Sequence, residues 1–338
     1  MQNIDLVPDL APTILAAREL RDARNSLARF LPNRNVNAVS YRLGRRKRLD
    51  QTVPVRALDA PATPIVRPGV LDVKGDLPAL TPIIDLSEQD LTNEMVMAMQ
   101  LAGLQVDWTP AVESAAAIGA LTIENTWELM RGQVLSTLGI GLVAADGNVH
   151  GVDFEAPDGA IITADEPWDF EDPTAVFANY SAASERHLDS SGEIAGVALT
   201  SSNMRTLLLN AVQKLFPNAP IGDEQLNAYL ANRKLPPVVT YDRKLEDAAG
   251  RKTRVFPDGV ITFLPSNEDP IGETQIGVTQ EAVQQVQDQV LNAQQAAGIT
   301  IVTLGQANPV QKAVKAAAIG MPILRDAEAI TVLNGLVA

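Results

Sequence analysis

Six prolines, Pro54, Pro61, Pro64, Pro68, Pro78 and Pro82, follow closely on the basic run Arg45-Arg46-Lys47-Arg48. Proline fixes φ and removes a backbone donor, so this stretch excludes a helix and a central strand. Short pieces such as Thr52-Val53-Pro54-Val55 and Pro64-Ile65-Val66 read as extended chain. From residue 32 to 85 there is no pattern that would bury itself. A compact domain seldom holds a structureless connection beyond about 15 residues. The segment reads as an arm or projecting loop that finds its burial on a neighbour; a disordered linker is the alternative.

Charge is segregated in the same place. Residues 1–56 carry eleven Lys/Arg and five Asp/Glu, a net +6, whereas the rest of the chain carries −20, which together give the chain's −14. A basic arm on an acidic body suggests an acidic partner for the arm. The 338 residues contain no cysteine, which excludes disulfides, thiolate metal sites and thiol nucleophiles. No run approaches the roughly 18 apolar residues of a membrane span. Met1–Leu10 lacks the order of a signal peptide, so a soluble protein made in a cytoplasm is expected.

Around the proline-rich segment the patterns are regular. Residues 13–31 predict a helix with Ile14, Ala17, Leu20, Leu27 and Leu31 on one face, stopped by Pro32. Ser87 and Asp90 suggest a cap for a helix carrying Leu91, Met95, Val96 and Met99. A long helix is predicted over 109–138, with Pro110 in its first turn and Ile123, Trp127, Met130, Val134 and Leu138 in register. Gly147-Asn148 and Asp158-Gly159 predict hairpin turns beside strands 149–154 and 160–163. Asp172-Pro173 opens another helix, and strands are expected at 194–199 and 238–241. Met204, Leu207, Leu208, Ala211, Val212 and Leu215 fit the amphipathic template in full. Beyond them come a hairpin of 254–256 with 260–264, a Gln-rich helix over 280–297 ended by Gly298, and strands at 299–304, 322–324 and 329–333. This is an α+β pattern.

Chemistry-bearing motifs are sparse. Gly139-Ile-Gly141-Leu-Val-Ala144 fits the spacing of a dinucleotide loop but closes a helix instead of opening one. His150 and His187 are the two histidines, and neither has a companion at metal-ligand spacing. The acidic run Asp165, Glu166, Asp169, Glu171, Asp172 reads as a solvated loop, with a divalent cation as the alternative. The basic residues Arg42, Arg45, Arg46, Lys47, Arg48 and Arg56 have Tyr41 as their one neighbouring aromatic. Single-strand recognition asks for several stacking rings. Pairing with an adjacent acidic subunit fits these residues, with packaged DNA or a scaffold as the other reading. They are the candidate inter-subunit contacts; no catalytic, cofactor-binding or metal residue is assigned.

The segments Pro236-Pro-Val-Val-Thr-Tyr241, Arg254-Val-Phe-Pro-Asp-Gly259-Val-Ile-Thr-Phe-Leu-Pro265 and Asp269-Pro-Ile-Gly272-Glu-Thr-Gln-Ile-Gly277 resemble the lambda-like phage major capsid protein E family. Trp168 with Asp172-Pro173, and Pro322–Asp326 with Ala329–Leu333, resemble it as well. The resemblance implies the Hong Kong 97-like fold. It implies an N-terminal arm at 1–40, an extended loop at 41–85, a peripheral domain at 86–190 and 319–338, and an axial domain at 191–318. It also implies hexamers and pentamers of an icosahedral shell around double-stranded DNA, with scaffold, portal and decoration proteins as partners and no membrane, cofactor or enzymatic step. The Lys–Asn pair that cross-links some relatives is not placed here. Two other readings stand beside it: a protein-cargo nanocompartment of the same fold, and an α/β hydrolase built on one of the histidines.

Overall fold

The computed structural model describes residues 9–22, 24–44, 72–87, 89–90, 92–93, 109–143, 149–169, 171–246, 250–266, 270–283, 293–307 and 310–337. Helix α1 (Ala11–Asp22) leads through a 3-10 turn (Ser26–Arg29) to β1 (Asn33–Asn35). Next come β2 (Ser40–Gly44), β3 (Asp72–Asp76), β4 (Ala79–Leu80) and β5 (Ile83–Leu86). The long helix α2 (Thr109–Thr137) precedes β6 (Gly139–Val143), β7 (Val149–Asp153) and β8 (Ile161–Thr163). Then follow α3 (Pro173–Ser191), β9 (Val197–Thr200), α4 (Ser202–Leu215) and α5 (Asp223–Asn232). The remaining strands are β10 (Val238–Thr240), β11 (Lys244–Glu246), β12 (Lys252–Arg254), β13 (Ile261–Leu264), β14 (Gly272–Gly277), β15 (Ala293–Ala296), β16 (Ile299–Ala307), β17 (Val310–Leu324) and β18 (Thr331–Asn334).

Two sheets carry the body. The larger runs β1-β14-β17-β16-β15, with β4 and β5 also on β17. The smaller runs β10-β9-β13-β18-β8. Helix α2 lies on the larger sheet because its inward face alternates small and large residues: Ala116, Gly119, Ala120, Ile123, Trp127, Met130 and Val134 are all buried. A Cβ on Gly119 would stand 2.9 Å from that of Ala316, so glycine sets how closely helix and sheet approach. Trp127 spans the gap and donates its indole N–H to the carbonyl of Gly320 at 3.1 Å. The smaller sheet is covered by α3 and α4. Val176, Phe177, Tyr180, Met204, Leu208, Ala211 and Val212 pack there with Ile261, Phe263 and Leu333.

Local signals were good guides to helices. Asp172 caps α3, its carboxylate accepting from the Thr174 and Ala175 N–H groups, and Pro173 occupies the first turn. Ser201 caps α4. Ser87 and Asp90 exchange hydrogen bonds in both directions, as a capping pair should. The rest of that helix prediction, from Leu91 to Met99, lies mainly outside the described residues.

Several expectations are corrected. The helix predicted to residue 31 ends at Asp22. The Leu27 N–H is taken by the Glu128 carboxylate at 3.2 Å, and Phe30 and Leu31 turn into the core. Asp158-Gly159 is a turn but makes no hairpin, since β8 pairs in parallel with β18. Strands 254–256 and 260–264 do not pair with each other: β12 pairs with β11, and β13 with β9 and β18. The Gln-rich helix does not reach residue 297. Ala297 (φ 53°) and Gly298 (φ 82°) form a two-residue hairpin turn joining β15 to β16. The glycine that read as a helix stop is a strand reversal. The turn expected at Gly147-Asn148 lies outside the described residues, although β6 and β7 do pair antiparallel across it. Residues 272–277 and 293–307 share the sheet under α2, and residues 331–334 lie in the smaller sheet.

Candidate functional site

The proline-rich segment leaves the body from a ladder of two strands. β2 and β3 pair antiparallel from Ser40↔Asp76 to Gly44↔Asp72, and among the described residues they pair only with each other. The base of this ladder is fixed by packing. Tyr41 is buried, and its ring crosses Gly75 so closely that a Cβ there would lie 2.5 Å from the phenolic oxygen. Burial pushes the Tyr41 hydroxyl up from its usual range, with Asp76 adding to the effect. Leu77 is also buried, and its N–H donates to the Val39 carbonyl at 2.9 Å. The candidate contact Arg42 sits on β2 opposite Lys74. Arg45, Arg46, Lys47, Arg48 and Arg56 lie outside the described residues, as do Pro54, Pro61, Pro64 and Pro68. Pro78 and Pro82 accept from Gly320 and Ala316 N–H groups, so the return of this segment is stitched to β17.

Below the ladder, one buried polar cluster joins segments far apart in the chain. Glu128 and Arg131, fully buried on α2, pair at 3.0 Å. Glu128 Oε1 accepts from the Leu27 N–H at 3.2 Å and from the Tyr241 hydroxyl at 2.7 Å. Arg131 donates from Nε to Thr274 Oγ1 at 3.0 Å and from Nη2 to the Asn33 side chain. Thr274 Oγ1 donates onward to the Leu31 carbonyl at 2.9 Å. Burial and the adjacent Glu128 carboxylate push the Tyr241 hydroxyl far above its usual range, so it stays a donor. Every charge here is paired and hydrogen-bonded, which is the condition for a buried ion pair to be tolerated. The cluster ties the N-terminal segment to α2, β14 and the end of β10. Sequence reading missed it. The available signal was a Glu and an Arg three residues apart inside the apolar face marked by Trp127, Met130 and Val134.

The other candidates are dispersed. His187 is 1 % exposed inside the α3 packing, and its carbonyl accepts from Ser191 Oγ at 2.7 Å. His150 lies on β7 opposite Leu142. Gly139 and Gly141 form β6 directly after α2, the reverse of the order a dinucleotide loop needs. In the acidic run, Asp172 is a cap, Glu171 pairs with Lys214, and Asp165 and Glu166 are exposed. Among the described residues, no group of three His, Cys, Asp or Glu could hold a metal ion, and no helix is long and apolar enough to cross a membrane.

The family model for phage major capsid protein E matches residues 27–331. Among curated proteins no sequence matches the chain. In solved structures, the chain is similar to the putative capsid protein of a prophage of E. coli CFT073. The identity is 14 % and the TM-score 0.57, over 97 % of this chain and 99 % of that one. It is similar at 12 % identity and TM-score 0.57 to a phage-related protein from Bordetella bronchiseptica RB50, over 97 % and 96 % of the two chains. It is also similar at 12 % identity and TM-score 0.50 to a chain of the cyanophage A-1(L) capsid, over 93 % of each. The shared architecture is the Hong Kong 97-like fold.

Proposed function

Because the chain belongs to the phage major capsid protein E family, we propose that its copies join into hexamers and pentamers that close an icosahedral shell around double-stranded DNA. It is a capsid protein, a building unit of the virion. Assembly in the cytoplasm of a bacterial host, help from a scaffold, a portal at one vertex and the absence of any enzymatic step complete this reading. The observation that carries it is the β2–β3 ladder: two strands that leave a well-packed body and pair with no other described strand. A lone two-stranded ribbon is marginal in water, so its tip gains stability by lying on another subunit. The smaller sheet with α3, α4 and α5 is the axial part of this reading, and α2 with the larger sheet is the peripheral part. The residues assigned to the contact are Arg42, Arg45, Arg46, Lys47, Arg48 and Arg56, facing carboxylates of the acidic body.

The test is expression of the full chain followed by sedimentation and electron microscopy. Closed particles are the expected result, and a monodisperse monomer at high concentration would sink the proposal. Replacing Arg45, Arg46 and Arg48 by Gln separates the two roles of the basic run. A subunit-contact role predicts fewer empty shells, with each exposed pair contributing under about 1 kcal/mol but repeating around the shell. A DNA-contact role predicts normal empty shells and a defect only in filled ones.

A further inference from the structure

The smaller sheet has two edge strands, β10 and β8, and both point the same way. β10 is parallel to β9, β9 and β18 are each antiparallel to β13, and β18 is parallel to β8. The carboxyl ends of both edge strands therefore lie at one end of the sheet, separated by its width of four strand spacings, roughly 19 Å. The chain leaving β8 is acidic, whereas the chain leaving β10 contributes Arg243 and Lys244, beside Asp242 and Glu246, to a recess that Arg24 completes.

Beyond β10, residues 241–246 and the 3-10 segment line a recess of about 650 Å³ that includes Arg24, Arg243 and Lys244. Its carboxylates are Asp242 and Glu246. Asp242 is already held by Arg254 at 2.8 Å and by the Ser202 N–H at 3.0 Å. Arg243 donates to Asn125, and none of the three cations forms an ion pair among the described residues. With Asp242 engaged by Arg254, three cations stand against the single carboxylate of Glu246, so the recess keeps a cationic excess on a chain of net charge −14. Beyond β8, Asp165 and Glu166 are exposed within two or three residues of the strand end. Neither has a partner among the described residues, whereas Glu171 and Asp172 are engaged within the chain.

We infer that the recess lined by Arg24, Arg243 and Lys244 receives Asp165 and Glu166 of a second copy of this chain. One copy's β10 edge then meets the next copy's β8 edge. Two different patches on opposite edges make a heterologous contact, which closes into a ring when the rotation allows. Both patches sit at one end of the sheet, so the contact repeats around a single axis. The inference rests on the shell reading and adds to it which surfaces meet around the ring.

Charge reversal tests it with exposed residues that the fold does not need. Arg24→Glu with Lys244→Glu should lower shell yield at least about tenfold, as should Asp165→Lys with Glu166→Lys, since like charges then face each other. All four changes in one chain should restore yield to within about threefold of wild type, because the pairing is re-formed with signs exchanged. Wild-type yield from either double variant would overturn the inference. So would a quadruple variant that melts like wild type and still fails to assemble. A second measurement does not depend on shells. The chain lacks cysteine, so Glu166→Cys with Lys244→Cys can be joined by a short bis-maleimide in the concentrated soluble protein. A ladder of oligomers ending in closed rings is expected. Unlinked chains, or dimers alone, would refute the head-to-tail contact. If wild type forms no particles while the ladder appears, the shell reading fails and the contact stands.

Discussion

The two halves of the body are held in different ways. The smaller sheet and its helices are locked by apolar and aromatic packing. Tyr180 meets Phe263 edge-on at 5.0 Å, and Phe177 meets Tyr229 at 4.8 Å. The larger sheet packs on an alanine- and glycine-rich helix face, and its distant segments converge on the Glu128–Arg131 pair. Apolar packing is non-directional and resists any change of volume or polarity. A polar cluster is directional: it specifies which segments meet, and it punishes the loss of one member more than the loss of all. The first arrangement makes a rigid block, and the second makes a junction.

The largest effect should come from violating the block. Leu208 is fully buried on α4, and Leu208→Asp would place an unpaired carboxylate there at a cost on the order of 5 kcal/mol or more. Loss of soluble, assembly-competent protein is expected. A soluble Leu208→Asp chain with wild-type circular dichroism would break the contrast at once.

The junction should respond differently to one change than to two. Arg131→Met leaves Glu128 buried without its partner and should cost about 3–5 kcal/mol. Adding Glu128→Leu should recover a good part of that loss in denaturant midpoint. If the double variant is as unstable as the sum of the single ones, the pair does not behave as a coupled cluster.

Smaller still is Tyr241→Phe, which removes one hydrogen bond to a charged acceptor, about 1.5–3 kcal/mol. The loss should appear in thermal unfolding while the smaller sheet keeps its near-ultraviolet aromatic signal. Loss of that signal together with the junction would show that the two halves unfold as one.

The smallest effect is a pH dependence at the rim. Burial pushes the Asp242 carboxyl up, but hydrogen bonds from Ser202 and the Arg254 guanidinium outweigh it and hold the group below the usual carboxylate range. A depressed folded value means that the stability is fully present above the unfolded value, near 4, and is lost as pH falls through the folded one. Wild type should lose stability below that point more steeply than Asp242→Asn, as measured by melting temperature across an acid series. Parallel acid profiles would remove Asp242 from the account.

What could be read from the sequence follows the same division. Helices α2, α3 and α4 announced themselves through local devices: Pro110, Asp172-Pro173, and the period of Met204, Leu208, Ala211 and Val212. Each device acts within a few residues. The extended course of the described chain around Pro78 and Pro82 was also legible, because proline excludes a helix over a short range. β17 was not. Its run of Ala313, Ala316, Ala317 and Ala318 has poor strand propensity, and it is a strand because β14, β16 and α2 need small residues between them. β13 was misassigned because its partners lie tens of residues away, Ile261 facing Thr200 on β9 and Leu333 on β18, whereas β15 is a hairpin partner of β16 whose glutamines and closing Gly298 read equally as a helix and its stop. The polar junction draws members from residues 27 to 274, and no window of sequence contains it. The basic run was legible as charge, whereas the cationic recess was not, because it is assembled from Arg24 and the turn after β10.

The way the projecting ladder returns to the body has a mechanical consequence. After β3, the chain lays β5 antiparallel along β17, from Ile83↔Lys315 to Leu86↔Lys312, with β4 just before it at Ala79↔Ile319. A pull on the ladder therefore loads these strands lengthwise. In that direction the rungs share the force and have to yield together, whereas a sideways pull would open them one at a time. Tension arriving through the loop is spread over a strand of fifteen residues that is anchored on both flanks. A container pressurised from within would place its subunits under such a load, and this attachment opposes it with the hydrogen-bonded rungs of the sheet.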